Sequence, residues 1–140
     1  MPGADGGAGT GVAAAAGVVT KTSARSVGDT VARLLELLGS KGVKVFAVID
    51  QQAEARSVGL DLRETTLVIF GNPAAGTGVM VAAPLSALDL PLKVLVWADG
   101  SRTNVTYYSP AALAARYGLS AELTASLAGT DPLTDALVAQ

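Results

Sequence analysis

The sequence has no cysteine and no histidine, and both absences narrow its chemistry. Without them the chain lacks disulfides, thiolate nucleophiles, the usual zinc ligands and the commonest general base at neutral pH. A metal site would need oxygen ligands alone, and no group of Asp and Glu has the spacing of a calcium loop. We therefore expect no metal and no cofactor. Acid–base chemistry would fall to Asp, Glu, Lys or Tyr.

Charge is also sparse, at 16% of the residues, with a net charge of −2. No run of Lys and Arg with interleaved aromatics is present, so nucleic acid is not expected as a partner. No apolar stretch reaches the roughly 18 residues that cross a bilayer, so a membrane is not expected either.

The first 17 residues are mostly Gly and Ala, and no Lys or Arg precedes Lys21. They lack the basic start and bulky apolar core of a secretory signal. We predict a disordered tail over residues 1–17, one domain over 18–140 and a cytoplasmic location, because a chain of this length suits a single core.

Periodicity and turn residues predict an α+β domain of order β-α-β-α-β-α-β-β-α-α, with helices packed against a mixed or antiparallel sheet. The predicted strands cover 18–25, 43–49, 66–70, 92–98 and 102–108. The predicted helices cover 26–41, 51–58, 73–82 and 110–117, with further helical stretches opened by Ser120 and by Asp131-Pro132.

Some strand positions also follow from the pattern. The first strand has polar residues on both faces, which is typical of an edge. The strand at 43–49 is apolar on most of both faces, which favours a buried position. Asp99-Gly100 between two alternating strands indicates a β-hairpin.

The turn after the third strand has the form of an anion site. A buried strand ends at Gly71, Asn72 can cap the next helix, and Pro73 suits its first position. Backbone N–H groups near Asn72, Ala74 and Ala75, helped by Thr77, could hold a carboxylate or phosphate. The alternative is that Asn72-Pro73 is only a helix cap.

Three further residues are candidates for a small-molecule pocket. Lys93 lies in an apolar strand, where its ammonium could be desolvated and act as a base, or could extend to solvent. Trp97 lies on the same strand, and one of Tyr107 and Tyr108 should share its face. An aromatic pocket with a phenol and an ammonium could bind a small molecule, although aromatic packing in the core is the alternative.

Acidic residues gather at the second helix. Asp50 has the position of an N-cap, and Glu54 has that of a solvated side chain. Both remain acid–base candidates together with Lys93 and Tyr107.

The motifs in this order resemble those of the family called domain of unknown function three-hundred-and-two, over residues 18–120. The matching stretches are Thr30–Leu35, Val45–Asp50, Val58–Arg63, Leu67–Pro73, Gly76-Thr77, Met80, Ala83-Pro84, Leu88–Lys93, Val96-Trp97 and Tyr107–Pro110. The resemblance implies a compact α+β domain that is often a homodimer, and it implies no activity. Members often carry His after the Ile-Asp pair, where this chain has Gln51.

Three functions follow as hypotheses. The first is a homodimeric module that binds a small, partly apolar and anionic molecule through Asn72, Thr77, Lys93, Trp97 and Tyr107. The second is a cofactor-independent cyclase, isomerase, lyase or hydrolase that uses Lys93, Tyr107, Asp50 or Glu54. The third is a structural or self-association module.

Overall fold

The computed structural model describes residue 12 and residues 15–140. Its strands are β1 Val18–Ser23, β2 Lys44–Asp50, β3 Thr65–Gly71, β4 Leu92–Asp99 and β5 Arg102–Tyr108. Its helices are α1 Val27–Ser40, α2 Gln51–Ser57, α3 Pro73–Ala82, α4 Pro110–Tyr117, α5 Ala121–Ser126 and α6 Thr130–Val138. A 3-10 turn covers Pro84–Leu88. The predicted α+β class and element order are confirmed, with the C-terminal helical part divided among three helices.

The five strands form one antiparallel sheet of order β1-β5-β4-β3-β2. The first strand is at an edge, as its polar faces predict. The prediction that 43–49 is buried was wrong, because β2 forms the opposite edge and leaves Phe46 and Val48 each 45% exposed. An irregularity in the β2–β3 register lies between Val45 and Ala47, around Phe46.

One face of the sheet carries the main core. The helices α1 and α6 pack on this face and on each other. Alternating side chains of β3, β4 and β5 meet the apolar stripe of α1, as its helical spacing predicts. The buried members of this cluster are Val27, Leu34, Leu38, Val68, Phe70, Val94, Val96, Val105, Tyr107, Leu133 and Leu137.

Basic side chains of β1, of α1 and of the segment between them hold α6 in place. Near its C-terminus, Arg25 donates to the carbonyls of Leu137 and Ala139, both at 3.2 Å, and Arg33 donates to that of Ala136 at 3.1 Å. Near its N-terminus, Lys21 donates to the Asp131 carbonyl and the Thr134 hydroxyl. Cations that bond helix C-terminal carbonyls are favourable. Together with the Lys21 bonds to the first turn, these contacts hold both ends of α6.

A second, smaller apolar cluster joins α3, α4 and α5. Its buried residues are Val79, Leu113 and Leu127, and Leu92 of β4 packs against both clusters. The space between the two clusters is only partly filled, and this space is the cavity described below.

The β4–β5 hairpin differs from the prediction by one residue. Asp99 pairs with Arg102, so the two loop residues are Gly100 and Ser101 rather than Asp99 and Gly100. Gly100 has a φ of +61°, a left-handed value that glycine adopts without steric cost.

Gly17 connects the start of the domain to α4. Its φ is +77°, its carbonyl accepts from the Ser109 N–H, and a Cβ built on it would lie 2.8 Å from the Cβ of Ala112. Gly118 has a similar φ of +62° but open space around it. Among the glycines that the structure describes, only Gly17 combines a left-handed backbone with a close packing contact.

We expect Gly118→Ala to lower the free energy of unfolding by about 1–2 kcal/mol, because a left-handed alanine is strained. Gly17→Ala should cost more, because it adds a steric overlap with Ala112. Urea titrations of both variants measure this, and equal losses would show that the Ala112 contact does not constrain Gly17.

Candidate functional site

A cavity with a volume of about 550 Å³ lies in the described part of the chain. It lies where the ends of β2 and β3, the first turns of α3, the segment leading into β4, and the α5–α6 segment meet. Most of its lining is apolar. The lining residues are Leu38, Lys41, Val43, Phe46, Phe70, Gly71, Asn72, Pro73, Ala75, Gly76, Thr77, Met80, Leu90, Pro91, Leu92, Ser126, Leu127, Gly129, Thr130, Pro132 and Leu133.

Local sequence explains the wall that α3 contributes. The strand β3 ends at Gly71, and Asn72 caps α3 with Pro73 at its first position, as predicted. Gly76 lies on the cavity side of α3, and a Cβ built there would have the Met80 Cε, 4.0 Å away, as its nearest neighbour. The wall is therefore open at Gly76.

The capping geometry corrects part of the predicted anion site. The Asn72 side-chain oxygen accepts from the N–H groups of Ala74, at 3.0 Å, and Ala75, at 3.4 Å. These two N–H groups were expected to hold an anion, but the cap already occupies them. Asn72 and Thr77 do lie together on the cavity wall.

Lys93 and Tyr107 line a different and smaller hollow, of about 300 Å³. The Lys93 ammonium donates to the backbone carbonyls of Asp89, at 3.3 Å, and Pro91, at 3.2 Å. These two hydrogen bonds stabilise the position of the segment 89–91, in which Leu90 and Pro91 line the larger cavity.

Tyr107 belongs to the buried core face of the sheet, where its hydroxyl donates to Asp131. The Lys21 ammonium lies 5.2 Å from its ring centroid and 2.8 Å from the Asp135 carboxylate. Partial burial acts to lower the pKa of Lys21, but its interactions with Asp135 and Tyr107 outweigh this and raise that pKa. Tyr107 therefore packs in the core, as the alternative to a pocket residue predicted. Tyr108, not Tyr107, lies on the same face of the sheet as Trp97.

Trp97 lines neither space. Its indole N–H donates to the Thr106 hydroxyl at 2.9 Å, and the Arg63 guanidinium lies 5.9 Å from its ring centroid. The five predicted ligand-binding residues therefore divide, with Asn72 and Thr77 at the larger cavity and the other three elsewhere.

The acidic candidates lie away from the larger cavity. Asp50 caps α2 by accepting from the Ala53 N–H at 2.9 Å, as predicted, and Glu54 is exposed. Gln51, which follows the Ile-Asp pair, is half-buried at the start of α2. Lys93, Tyr107, Asp50 and Glu54 do not converge on one space that could hold a substrate. In residues 12 and 15–140, no group of three Asp or Glu residues could hold a metal ion.

Sequence reasoning missed the residues that make the cavity, most clearly Lys41 and Thr130. Lys41 carries the only charge among the described lining residues. It follows Ser40, the last residue of α1, and a lysine at the end of a helix is typical of an exposed surface position. Thr130 begins α6, where the sequence indicates only a helix start. No local signal marks either residue, because the two are brought together by the packing of α1 and α6.

A hydrogen-bonded cluster around Asp89 holds another part of the wall. The Tyr117 hydroxyl and the Arg116 guanidinium, the latter at 3.1 Å, both donate to the Asp89 carboxylate. The Tyr117 hydrogen bond is the main cause that lowers the pKa of Asp89, and Arg116 adds to it against the effect of burial. Asp89 immediately precedes Leu90 and Pro91, so the cluster fixes the segment that lines the cavity.

Stability should depend on this cluster in a pH-dependent way. Because the folded-state pKa of Asp89 is lowered, its carboxylate stabilises the fold above the unfolded-state value of about 4, and this contribution is lost as the pH falls through the lower folded-state value. Tyr117→Phe should therefore lower the unfolding midpoint at neutral pH, by an amount that shrinks as the pH falls through the lowered folded-state pKa of Asp89. Thermal melts at several pH values measure this. Tyr108→Phe, at an exposed tyrosine, is the matched control, and a pH-independent loss in Tyr117→Phe would contradict the assignment.

No helix in the described residues has the length and apolar character needed to span a bilayer. Among curated proteins, the chain is 41% identical over 123 residues to proteins named Fluoride-specific ion channel FluC 1 from Brucella suis biovar 1 and from Brucella abortus biovar 1. The match covers 84% of this chain but 48% and 46% of those proteins. The chain thus spans about half the length of the curated relatives it matches.

The fold also occurs in a solved structure, that of an uncharacterized conserved protein DUF302 from Bacillus stearothermophilus. The TM-score is 0.74, with 21% sequence identity, and the alignment covers 89% of this chain and 97% of that chain. The family described as Domain of unknown function DUF302 matches residues 19–137, nearly the whole described domain. This chain therefore belongs to the DUF302 family.

Proposed function

We propose that this protein is a binding module for a small, mostly apolar molecule, held in the cavity between α3 and the α5–α6 segment. The observation that carries the proposal is the cavity itself, about 550 Å³ and lined mostly by apolar residues. Ligand sites in proteins have this size and this character, with a few polar groups that orient the ligand.

The shape of the wall supports the same function. Gly76 leaves open volume where any other residue would place a side chain, and its nearest neighbour is the flexible end of Met80. Phe46, Phe70 and Met80 offer large apolar contacts, and methionine adapts readily to irregular ligands. Asn72 and Thr77 supply polar groups at the same wall.

The binding proposal replaces the five-residue site predicted from the sequence with a site that keeps Asn72 and Thr77. An enzymatic function has less support, because the acid–base candidates are engaged elsewhere in hydrogen bonds or are exposed. The activity named for the Brucella relatives is that of proteins about twice the matched length, so the cavity carries the proposal and that name does not. A cytoplasmic location stays a prediction from the sequence.

Filling the cavity should abolish binding. Gly76→Leu places a side chain in the cavity, so we expect it to remove most of the fluorescence increase that the neutral apolar probe N-phenyl-1-naphthylamine shows with the unaltered protein. Gly78→Leu is the matched control, because Gly78 lies on the same helix outside the lining with open space around it. No probe binding to the unaltered protein, or equal binding by both variants, would overturn the proposal.

We further propose that the chain forms a homodimer through one exposed apolar surface, which we call the α3 surface: Val81, Leu85 and Leu88. These side chains are 78%, 72% and 79% exposed, and no charged residue occurs from residue 65 to residue 88. Three aliphatic side chains so exposed within one short stretch of chain are typical of an interaction surface, and a two-fold dimer would cover the same patch on both copies.

A charge in this surface should disrupt the dimer. We expect Leu85→Glu to convert the protein to a monomer in light scattering coupled to size exclusion, because pairing would bury two unpaired carboxylates. Leu60→Glu is the control, since Leu60 is 64% exposed and lies outside the α3 surface. A monomeric unaltered protein would refute the homodimer, and a dimeric Leu85→Glu variant would refute this surface as its interface.

A further inference from the structure

We infer that the ligand of the cavity carries a carboxylate, held by the N-terminus of α6, the Thr130 hydroxyl and Lys41. The inference rests on the proposed binding function and assigns the chemical class of the ligand, an apolar body with one anionic head. None of these three groups belongs to the turn after β3, near Asn72 and Thr77, where the sequence predicted an anion site.

The N-terminus of α6 is the first element of this head-group site. The helix is nine residues long, and Gly129, at its N-cap position, provides no side chain to bond the first N–H groups. In the described chain, the N–H groups of Gly129 and Thr130 have no backbone acceptor outside the helix, and both residues line the cavity. Free N–H groups together with the helix dipole favour an anion there.

Thr130 is the second element and an independent one. It is 3% exposed and lines the cavity, and its hydroxyl has no hydrogen-bond partner among the residues that the structure describes. The fully buried side-chain atoms without a partner in the described chain are Arg33 Nε and Ser86 Oγ, so the Thr130 hydroxyl is accessible from the cavity that Thr130 lines. A ligand oxygen would supply that partner.

Charge is the third element. Lys41 contributes the only formal charge among the described lining residues, and none of them is Asp or Glu. Asp131 follows Thr130 in the first turn of α6. Its carboxylate accepts from the Tyr107 hydroxyl on the core face, and Asp131 does not line the cavity. An apolar space with one cation and a free helix N-terminus favours an anion over a neutral or cationic head group.

A capped α3 makes the assignment more specific. The N–H groups of Ala74 and Ala75 are bonded to Asn72, so the α3 N-terminus offers the anion fewer free donors than α6 does. The Asn72 amide nitrogen remains available at the cavity wall as a further donor. We place the carboxylate at the α6 side of the cavity and the apolar body against Phe46, Phe70 and Met80.

The test compares ligands that share a chain and differ in the head. Decanoate, 1-decanol and decyltrimethylammonium compete with N-phenyl-1-naphthylamine for the full-length protein. We expect decanoate to bind about tenfold more tightly than decanol, as hydrogen bonds to a charged group require, and the cation to bind most weakly. A parallel titration with 4-phenylbutyrate distinguishes an aliphatic body from an aromatic one.

Variants then locate the head group. Lys41→Gln and Thr130→Val should each weaken decanoate binding about fivefold to tenfold and leave decanol binding unchanged, because the first removes the positive charge and the second a hydroxyl donor to the carboxylate. Thr130→Ser should retain decanoate binding. Arg102→Gln removes one exposed positive charge outside the cavity and should leave decanoate binding unaltered.

The outcomes separate the two proposals. Equal binding of decanoate and decanol would overturn the carboxylate site and leave the apolar cavity as a binding site. Selective decanoate binding that survives both Lys41→Gln and Thr130→Val would place the head group elsewhere and overturn this assignment. Failure of all three decyl compounds and of the neutral probe would overturn the binding function as well. Because Lys41 is exposed, its variant tests the site even if Thr130→Val fails to fold.

Discussion

The attachment of α6 to the sheet is the constraint on which the rest of the structure depends. Arg25 and Arg33 bind the carbonyls at its C-terminal end, and Lys21 binds its first turn. These bonds cross more than a hundred residues of sequence and bring the last helix against the first strand. Once α6 is fixed at both ends, Leu133 and Leu137 complete the core beside Leu34 and Leu38.

Fixing α6 also determines where its N-terminus lies. The two apolar clusters are joined through Leu92, but the volume between them is not filled, and α6 begins at the border of that volume. The hydrogen bonds of Lys93 and Tyr117 hold the opposite wall through Asp89 and Pro91. The polar contacts around the cavity therefore maintain its walls, while the cavity itself stays largely free of polar groups.

Local features of the chain could be predicted and long-range ones could not. The Asn72-Pro73 cap, the apolar stripe of α1 and the polar edge strand depend on neighbouring residues, and the structure contains all three. The burial of β2 was predicted wrongly, because apolar residues on both faces describe a central strand as well as an edge strand that borders a cavity. The cavity draws on segments near residues 41, 72, 91 and 130, and no periodicity links segments so far apart.

The composition of α3 connects stability to the proposed function. Each glycine in a helix interior costs roughly 0.5–1 kcal/mol relative to alanine, and α3 contains both Gly76 and Gly78. Packing requires neither, since a Cβ would fit at both positions. The Asn72 cap offsets part of the cost, at about 1 kcal/mol. Nothing in the structure explains Gly78. At Gly76 the missing side chain leaves part of the cavity open, so the residue that lowers the stability of the helix also contributes to the site.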